Sequence, residues 1–410
     1  MIVLLAVCAG FLMPRAGAQE SGRTIVIDFS RELGPVNPRT GFLGGLRDAT
    51  PDAIIEPLHP SLWRIGHQFR GRIAQGLPGA IARVQHLGAT YKLVMSDLIG
   101  GNPTNYAAYE ISVKQLVAQV GPQSHRIIWE PVNEPDISHQ PIAAYYEVYA
   151  HAFKALREAD PQAWICGPGF AFPNWAKYRA FLDYCRSHHL ECNFLAWHYT
   201  GWDPAAPEKQ NWQLGRLREF LAEYKEQKIL EIHCDEWGAG PDQPGCLQPG
   251  RAVVWFHYLE NVYHVDRACR ANWGKQDDYL GGLLTTNGET LPVYHAYRYY
   301  GSTRGQTRVA SEGNDNWIAA LGSKTRDHCE VLLGSIARAP AKVTLDLQGL
   351  PANAPKLEVR LLPASNLDLP LREENIPLVT DYTVIRTNGS VRITFGKVEE
   401  NQTYHLLLSP

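Results

Sequence analysis

The chain has 410 residues, of which 45% are hydrophobic and 20% are charged. That length exceeds the ~250 residues of one eight-stranded βα barrel, so a chain built on such a barrel should carry an additional domain. The net charge of -3 argues against a polyanion such as nucleic acid as a partner.

The N-terminus has the features of a secretory signal. Residues 2–13 form an apolar segment that is too short to span a bilayer, and a small-x-small cleavage site follows at Ala16-Gly17-Ala18. We therefore predict a signal peptide over residues 1–18 and a secreted or periplasmic protein. Val7 precedes Cys8 where a lipoprotein signal needs a small residue, which argues against lipidation. No other segment predicts an integral membrane helix, and the oligomeric state stays open.

The cysteines leave two pairings open. Besides Cys8 the chain has seven cysteines, and in an exported protein some of them could form disulfides. Cys185 lies close in sequence to Cys192, and Cys234 to Cys246, but sequence alone cannot show a bridge. No CxxC spacing occurs, so a structural zinc site is not indicated.

Residues 36–302 show a regular alternation of strands and helices. A first strand at residues 24–29 precedes them, within an N-terminal segment (residues 19–35) that could join a C-terminal β-domain, since chain termini often lie close together. The alternation predicts parallel βα units, and eight of them predict a closed (β/α)₈ TIM barrel. The eight predicted barrel strands are 41–46, 62–65, 91–96, 126–130, 164–167, 194–198, 229–235 and 268–273.

The pattern changes near residue 303. Helical periodicity stops, and short alternating strands predict a β-sandwich domain over residues 303–410. The predicted strands of this domain are 317–321, 329–335, 341–347, 356–362, 390–395 and 404–408. The expected fold is therefore α/β, a TIM barrel with an accessory β-sandwich.

Two strand ends carry carboxylates. Glu134, within Asn133-Glu134-Pro135, follows the fourth predicted barrel strand, and Glu236 follows the seventh. The C-terminal ends of barrel strands meet at one rim, where catalytic groups gather. On the seventh strand Ile232 and Cys234 share the parity of Glu236, as does Leu230; if these three face the barrel axis, Glu236 does too.

Paired carboxylates are the minimal equipment for cleaving a glycosidic bond. Glu236 would attack the anomeric carbon, while Glu134 would protonate the leaving oxygen and then take a proton from water. Asn133 would offer its amide to a sugar hydroxyl. An isolated Asn-Glu-Pro would by default be a surface turn, but a second carboxylate at the equivalent junction of another strand favours catalysis.

On these residues the chain resembles the retaining glycoside hydrolases of clan A, which place the acid/base after strand four and the nucleophile after strand seven. Within the clan it is most similar to glycoside hydrolase family 39. Ala196-Trp197-His198-Tyr199 at the sixth strand, and the stretch from Gly281 to Tyr297 after the eighth, also resemble that family. The resemblance covers most of residues 24–410. Pro131-Val132 departs from it, standing where the family has an aliphatic-aromatic pair before the Asn.

The resemblance implies further site residues. Arg64 would contact the nucleophile and keep it ionised, because a nearby cation lowers the pKa of a carboxylate. His198 would contact substrate, Tyr199 would donate a hydrogen bond to Glu236 and so also favour its ionised form, and Trp273 would form an aromatic platform for a sugar. For other residues near strand ends a structural role fits equally well: His67, Trp202, His233 and Lys275.

We therefore expect a retaining hydrolase of O-glycosidic bonds in an oligo- or polysaccharide, with xyloside, arabinoside or uronide substrates. Arg70 and Lys275 are candidates for binding a uronate carboxylate. No cofactor is implied, and His198, His233 and Asp235 lack the tight spacing of metal ligands. Two alternatives stay open: an endo-acting clan A hydrolase of an exopolysaccharide, and a catalytically silent carbohydrate-binding barrel.

Overall fold

The computed structural model describes residues 22–66, 76–138, 140–199, 216–238, 244–271, 279–350, 356–387 and 389–409. The predicted signal peptide lies outside these residues, as do several residues singled out above: His67, Arg70, Trp202, Trp273 and Lys275.

The chain opens with strand β1 (Arg23–Pro35) and then enters a closed barrel of eight parallel strands. Each predicted barrel strand overlaps an observed one, so the predicted barrel is confirmed. The barrel strands are β2 (Thr40–Leu43), β3 (Leu62–Ile65), β4 (Thr90–Val94), β5 (Ile127–Glu130), β6 (Trp164–Phe170), β7 (Phe194–Tyr199), β8 (Glu231–Trp237) and β9 (Arg267–Arg270).

The helices that surround the barrel bury apolar stripes against it. On the longest, Tyr145, Tyr149 and Leu156 are among the buried residues, as expected for an amphipathic helix. The helices in the described residues are α1 (Asp52–Ile55), α2 (Gly76–His86), α3 (Ser96–Ile99), α4 (Tyr106–Val120), α5 (Ile142–Ala159), α6 (Trp175–Ser187), α7 (Leu217–Leu221), α8 (Pro249–His257) and α9 (Pro292–Ser302).

Two helix starts are capped by asparagine side chains. Asn105 accepts a hydrogen bond from Ala108 N at the start of α4, and Asn174 accepts one from Lys177 N at the start of α6. Such caps satisfy backbone N–H groups that have no partner within the helix. They therefore help to define where α4 and α6 begin.

The strands have two differently packed faces. A large core lies between the barrel and its helices, and a small apolar cluster fills part of the barrel interior. The interior cluster consists of Leu43, Leu62, Ile128, Cys166, Phe194, Ala196, Cys269 and Ala271. The remaining interior positions toward the C-terminal rim carry charged side chains, described below.

The accessory domain is one curled, mostly antiparallel sheet of nine strands, β1 and eight strands that follow the barrel. The eight are β10 (Thr307–Glu312), β11 (Ile318–Lys324), β12 (Cys329–Ser335), β13 (Ala341–Gln348), β14 (Lys356–Leu362), β15 (Thr383–Thr387), β16 (Ser390–Val398) and β17 (Thr403–Ser409). Their order in the sheet is β14-β17-β12-β11-β10-β1-β13-β16-β15. The predicted accessory β-sandwich is confirmed, since the curled sheet has its own apolar core. Strand β1 lies inside this sheet, antiparallel to β10 and parallel to β13.

Helix α8 joins the barrel to the sheet. Gly250 on α8 lies so close to the sheet that a Cβ there would come 2.2 Å from the Ser335 carbonyl oxygen. A Cβ on Gly334 of β12 would come 2.5 Å from Val253 Cβ on α8. The two glycines allow the helix and strand backbones to approach closely.

The seven cysteines after Cys8 are all buried free thiols, so neither disulfide left open by the sequence is formed. Among the described residues, no helix combines the length and apolar character needed to cross a bilayer.

Candidate active site

Glu134 is presented by a sharp turn after β5. Asn133 extends the barrel pairing through an isolated parallel bridge to Gly169 on β6. The next residue, Glu134, has a φ of 43°, in the left-handed region that side chains rarely adopt. Residues held in such backbone conformations cluster at functional sites, where the surrounding structure determines them. This turn ends the strand and leaves the Glu134 side chain 23% exposed.

Glu236 reaches the barrel interior because β8 contains a bulge. Trp197 pairs with Cys234 but His198 pairs with Glu236, so Asp235 is an extra residue on β8. The pairing with β9 shifts over the same stretch. A bulge re-aims side chains and is common beside active sites.

The premise that Leu230, Ile232 and Cys234 face the barrel axis, from which the inward orientation of Glu236 was predicted, is therefore wrong. Ile232 and Cys234 pack in the core between barrel and helices, and Leu230 is 55% exposed. None of the three belongs to the interior cluster, to which Phe194 and Ala196 of the neighbouring strand do belong. The extra residue at Asp235 reverses the alternation, and Glu236 faces inward for that reason.

Arg64 on β3 connects the two strands that carry the carboxylates. Its Nη1 donates to Glu236 Oε1 at 2.6 Å, and its Nε and Nη2 each donate to a Glu130 carboxylate oxygen at 2.7 Å. Its Nη2 also donates to Asn133 Oδ1 at 2.6 Å. Arg64 is 1% exposed and its guanidinium is always charged, so these are strong charge-assisted contacts.

His198 lies between the two candidate catalytic carboxylates. Its Nδ1 is 2.8 Å from Glu134 Oε1 and 3.4 Å from Glu236 Oε2. The imidazole fits because residue 169 is a glycine, since a Cβ there would come 2.9 Å from His198 Nε2 and 3.1 Å from Glu130 Oε1. One oxygen of Glu134 and one of Glu236 lie within 4.8 Å of each other and of a His198 nitrogen.

A buried ionic layer lies beneath these residues and was not recognised from sequence. Lys92 Nζ on β4 donates to Asp235 Oδ2 and lies 3.9 Å from Glu130 Oε2. Lys92, Asp235 and Glu130 are all fully buried. The signal was present: Lys92 stands within the apolar strand β4, and a buried charge requires a partner.

The pKa of Glu236 is raised overall, although Arg64 favours its ionised form, as the sequence predicted. Burial raises it above the 4.5 of an ordinary glutamate, and the nearby Glu134 carboxylate acts in the same direction. His198 and Arg64 act oppositely without outweighing burial. Beneath Glu236, burial would also raise the pKa of Asp235, but Lys92 and Arg64 hold it below its usual value.

The other predicted substrate-binding residues have varied placements. The bond from Arg64 to Asn133 Oδ1 leaves the amide NH₂ of Asn133 as a donor. Tyr199 packs in the core between barrel and helices, with its ring centroid 5.0 Å from that of Trp255. Its hydrogen bond to Glu236 stays a prediction. Trp273 lies outside the described residues.

Within the part of the chain that the structure describes, two groups of side chains have metal-ligand spacing: Glu130, His198 and Asp235, and Glu134, His198 and Glu236. Arg64 already binds a carboxylate of each group, Glu130 in the first and Glu236 in the second. A divalent cation would have to lie beside this guanidinium, and in the first group beside Lys92 as well. Like-charge repulsion therefore disfavours a metal in either group.

The chain is similar to known glycoside hydrolases. Residues 88–276 match the family model described as cellulase (glycosyl hydrolase family 5). No curated protein matches the sequence. The matched family belongs to clan A, so the predicted resemblance to this clan, and the prediction of a glycoside hydrolase barrel, are confirmed.

Solved structures share the whole fold at low identity. N2152 from Neocallimastix frontalis has a TM-score of 0.78 at 16% identity, covering 95% of this chain and 99% of that one. A glucosidase from Croceicoccus marinus has a TM-score of 0.69 at 16% identity, with coverage of 95% and 99%. The GH39 enzyme from Xanthomonas axonopodis pv. citri has a TM-score of 0.67 at 15% identity, with coverage of 97% and 100%.

Proposed function

We propose that this protein is a retaining glycoside hydrolase that cleaves O-glycosidic bonds by double displacement, with Glu236 as the nucleophile and Glu134 as the acid/base. The observation that carries the proposal is the close approach of these two carboxylates at the C-terminal ends of β8 and β5. Such a pair at this rim of a TIM barrel is the arrangement that the chemistry requires.

The spacing of the carboxylates supports retention. Retaining enzymes hold them about 5–5.5 Å apart, whereas inverting enzymes leave about 6.5–9.5 Å for a water molecule. Oxygens of Glu134 and Glu236 lie within 4.8 Å of each other. This gap fits direct attack by one carboxylate better than the insertion of water between carboxylate and sugar.

The environments of the two residues match their proposed roles. Glu236 is 4% exposed and held by Arg64 through Oε1, which leaves Oε2 as the attacking atom. Glu134 is more exposed and can deliver a proton to the leaving oxygen, then accept one from the water that hydrolyses the glycosyl-enzyme. Asn133, with its acceptor oxygen occupied by Arg64, can donate to a sugar hydroxyl.

The substrate we propose is a family 39-like glycoside, of the xyloside, arabinoside or uronide type, met outside the cytoplasm after removal of the predicted signal peptide. A family 39 enzyme shares the fold across most of both chains. The matched sequence model is that of family 5, so the assignment within the clan rests on the motifs around Glu134, His198 and residues 281–297.

The test is a screen of aryl glycosides and oligosaccharides with proton NMR of the first-formed sugar. We expect an active substrate whose product keeps the anomeric configuration of the bond cleaved. Initial formation of the opposite anomer would establish inversion and refute the nucleophile assignment. Binding of oligosaccharides without turnover of any substrate would instead favour the catalytically silent barrel.

A further inference from the structure

The barrel interior holds an ion pair that reaches across its axis. Lys92 lies on β4, the third barrel strand, and Asp235 on β8, the seventh, so the two stand on opposite sides of the barrel. We propose that Lys92 is a positioning residue: by binding the carboxylate of Asp235, it keeps the guanidinium of Arg64 on Glu236. The inference rests on the proposed role of Glu236 as the nucleophile.

The carboxylates around Arg64 need a second cation. Its Nε lies 2.7 Å from Glu130 Oε2 and 3.7 Å from Asp235 Oδ2, while its Nη1 binds Glu236. One guanidinium thus faces three carboxylates. Lys92 supplies the second positive charge and takes up Asp235, which leaves Arg64 to bind Glu130 and Glu236.

Burial makes the two members of this ion pair depend on each other. Lys92 and Asp235 are both fully buried, so neither charge can be satisfied by solvent. Removing one partner of a buried pair leaves an uncompensated charge that seeks the nearest alternative. For Asp235 the nearest alternative cation is Arg64, since among the described residues its other basic neighbour, His233, has Nδ1 3.9 Å away from Oδ1. Loss of Lys92 would therefore draw Arg64 away from Glu236.

The ion pair also holds the bulge in β8. Asp235 is the extra residue of β8 that turns Glu236 inward, and it immediately precedes Glu236. A contact with its side chain is therefore the most direct way for the barrel interior to fix the bulge. A bond from the opposite wall to this residue restrains the backbone that aims the nucleophile.

The pair can be tested through three variants: Lys92→Met, Asp235→Asn, and the two combined. Misplacement of a reacting group by about 1 Å can lower a rate about 10²-fold, so we expect Lys92→Met to lower kcat about 10–100-fold with little change in KM. In the double variant Asp235 no longer competes for Arg64. We therefore expect it to recover most of the lost kcat.

The acidic limb of kcat/KM supplies a second readout, because Glu236 must be ionised to attack. The charged or titratable groups around it in the described residues include Arg64 on β3, Lys92 on β4, Glu130 and Glu134 on and after β5, His198 on β7, and Cys234 and Asp235 on β8. Removing a nearby cation disfavours the ionisation of Glu236, and removing a nearby anion favours it. We expect the limb to move up by about one pH unit in Lys92→Met, down in Asp235→Asn, and back toward the native position in the double variant.

A buried ion pair far from the site provides the control. Arg308 Nη2 lies 2.9 Å from Glu260 Oε1, and each side chain is 8% exposed. Arg308→Met should lower the melting temperature and leave the limb and kcat unchanged. If Lys92→Met does the same, or if both single variants move the limb in one direction, the pair is merely structural and the inference is wrong.

A failure of this inference can be distinguished from a failure of the proposed function. The variants are compared with native enzyme whose product stereochemistry has been measured, so a wrong inference leaves Glu134 and Glu236 in their roles. A native enzyme without glycosidase activity would refute the proposed function and this inference together. If Lys92→Met does not fold, Asp235→Asn and the double variant, neither of which buries an unpaired carboxylate, still decide the outcome by their relative limb positions.

Discussion

At the scale of single residues, Glu134 and Glu236 are alike in chemistry and different in setting. The side chain of Glu236 is 5% exposed and is held by the Arg64 guanidinium. The side chain of Glu134 is 23% exposed and, within the described residues, forms its hydrogen bond with His198. Two carboxylates in different environments can take opposite roles in one reaction. The roles assigned above follow from this contrast.

The assignment predicts a dependence on the leaving group. Glu236→Ala should abolish turnover of every glycoside, because no covalent intermediate can form. Glu134→Ala should lose about 10²–10⁴ of kcat/KM on glycosides with poor leaving groups and much less on activated aryl glycosides, which need little protonation. A Brønsted plot against leaving-group acidity measures this, with Glu231→Gln, at the opposite end of β8, as the control. Equal damage across all leaving groups would contradict Glu134 as the acid.

The raised pKa of Glu236 predicts where the pH profile falls. Glu236 acts as the anion, so a pKa above 4.5 moves the acidic limb of kcat/KM upward from that of an ordinary glutamate. Glu134 must carry a proton to assist departure, so the alkaline limb should report its loss. We expect Glu134→Gln, assayed on an activated aryl glycoside, to retain the acidic limb and lose the alkaline one. An alkaline limb that survives unchanged in the variant would show that another group sets it.

At the scale of elements, the loop after β5 is tied to the loop after β6 by one carboxylate. Asp136 accepts hydrogen bonds from the backbone N of Ala171 and of Phe172 at 2.9 Å and from Lys177 Nζ at 2.6 Å. Its side chain is 1% exposed. Burial would raise its pKa, but Lys177 and the two N–H groups hold it below the usual 3.8. The turn that presents Glu134 is thereby anchored two residues downstream.

This anchor predicts a pH-dependent contribution to stability. A carboxyl group whose pKa is lowered by folding stabilises the fold at pH values above its unfolded-state pKa of about 4. This stabilisation is lost as the pH falls through the folded-state pKa. Asp136→Asn should lower the free energy of unfolding at pH 7 by about 1.5–3 kcal/mol, the range for hydrogen bonds to a charged group. The difference from native should shrink as Asp136 protonates below pH 4. Urea unfolding at both pH values measures it.

The control for that measurement is Glu219→Gln, since Glu219 is 66% exposed in its ion pair with Arg216. An exposed pair contributes about 0–1 kcal/mol. A loss in Asp136→Asn that is no larger than in Glu219→Gln, or that persists undiminished at low pH, would show that the charge of Asp136 does not anchor the loop.

The strands show how much of the fold could be predicted from the sequence. All eight barrel strands were predicted, because their apolar runs and the helices between them are local signals. Strands β10 and β15 were missed. Strand β15 lies at the sheet edge and is largely exposed, so it lacks the buried face that gives a strand its alternating pattern. The bulge at Asp235 was equally hidden, because an extra residue is defined only against the neighbouring strand.

The same limit applies to the site. Glu134 and Glu236 were found because each follows an apolar strand, a position visible in one segment of sequence. The joint contact of Arg64 with Glu130, Asn133 and Glu236 depends on three strands at once. Lys92 and Asp235 are separated by 143 residues, and their pairing across the barrel needs the closed structure. Sequence can identify such buried charges but cannot match them with their partners.

At the scale of the whole molecule, the barrel and the nine-stranded sheet share one helix. In α8 every residue from Pro249 to Phe256 is buried, so the helix is covered on all sides. A helix that is buried all round lies inside a protein core rather than at its surface. The sheet in turn contains β1, from before the barrel, between β10 and β13, from after it. The two parts of the fold therefore depend on each other for burial.

This dependence predicts one cooperative unfolding transition that Gly250 controls. Gly250→Ala would place a Cβ 2.2 Å from the Ser335 carbonyl oxygen, 2.7 Å from that of Gln402 and 2.8 Å from the Asn401 carbonyl carbon. Backbone atoms on the sheet cannot yield as a flexible side chain would, so the helix and sheet must separate. Overpacking of this kind costs about 1–3 kcal/mol. Scanning calorimetry should show a single peak that moves to lower temperature.

Gly396→Ala, where a Cβ meets nothing within 4 Å, should leave that peak nearly in place. Two resolved peaks in the native protein, with only one shifted by Gly250→Ala, would mean that the barrel folds without the sheet.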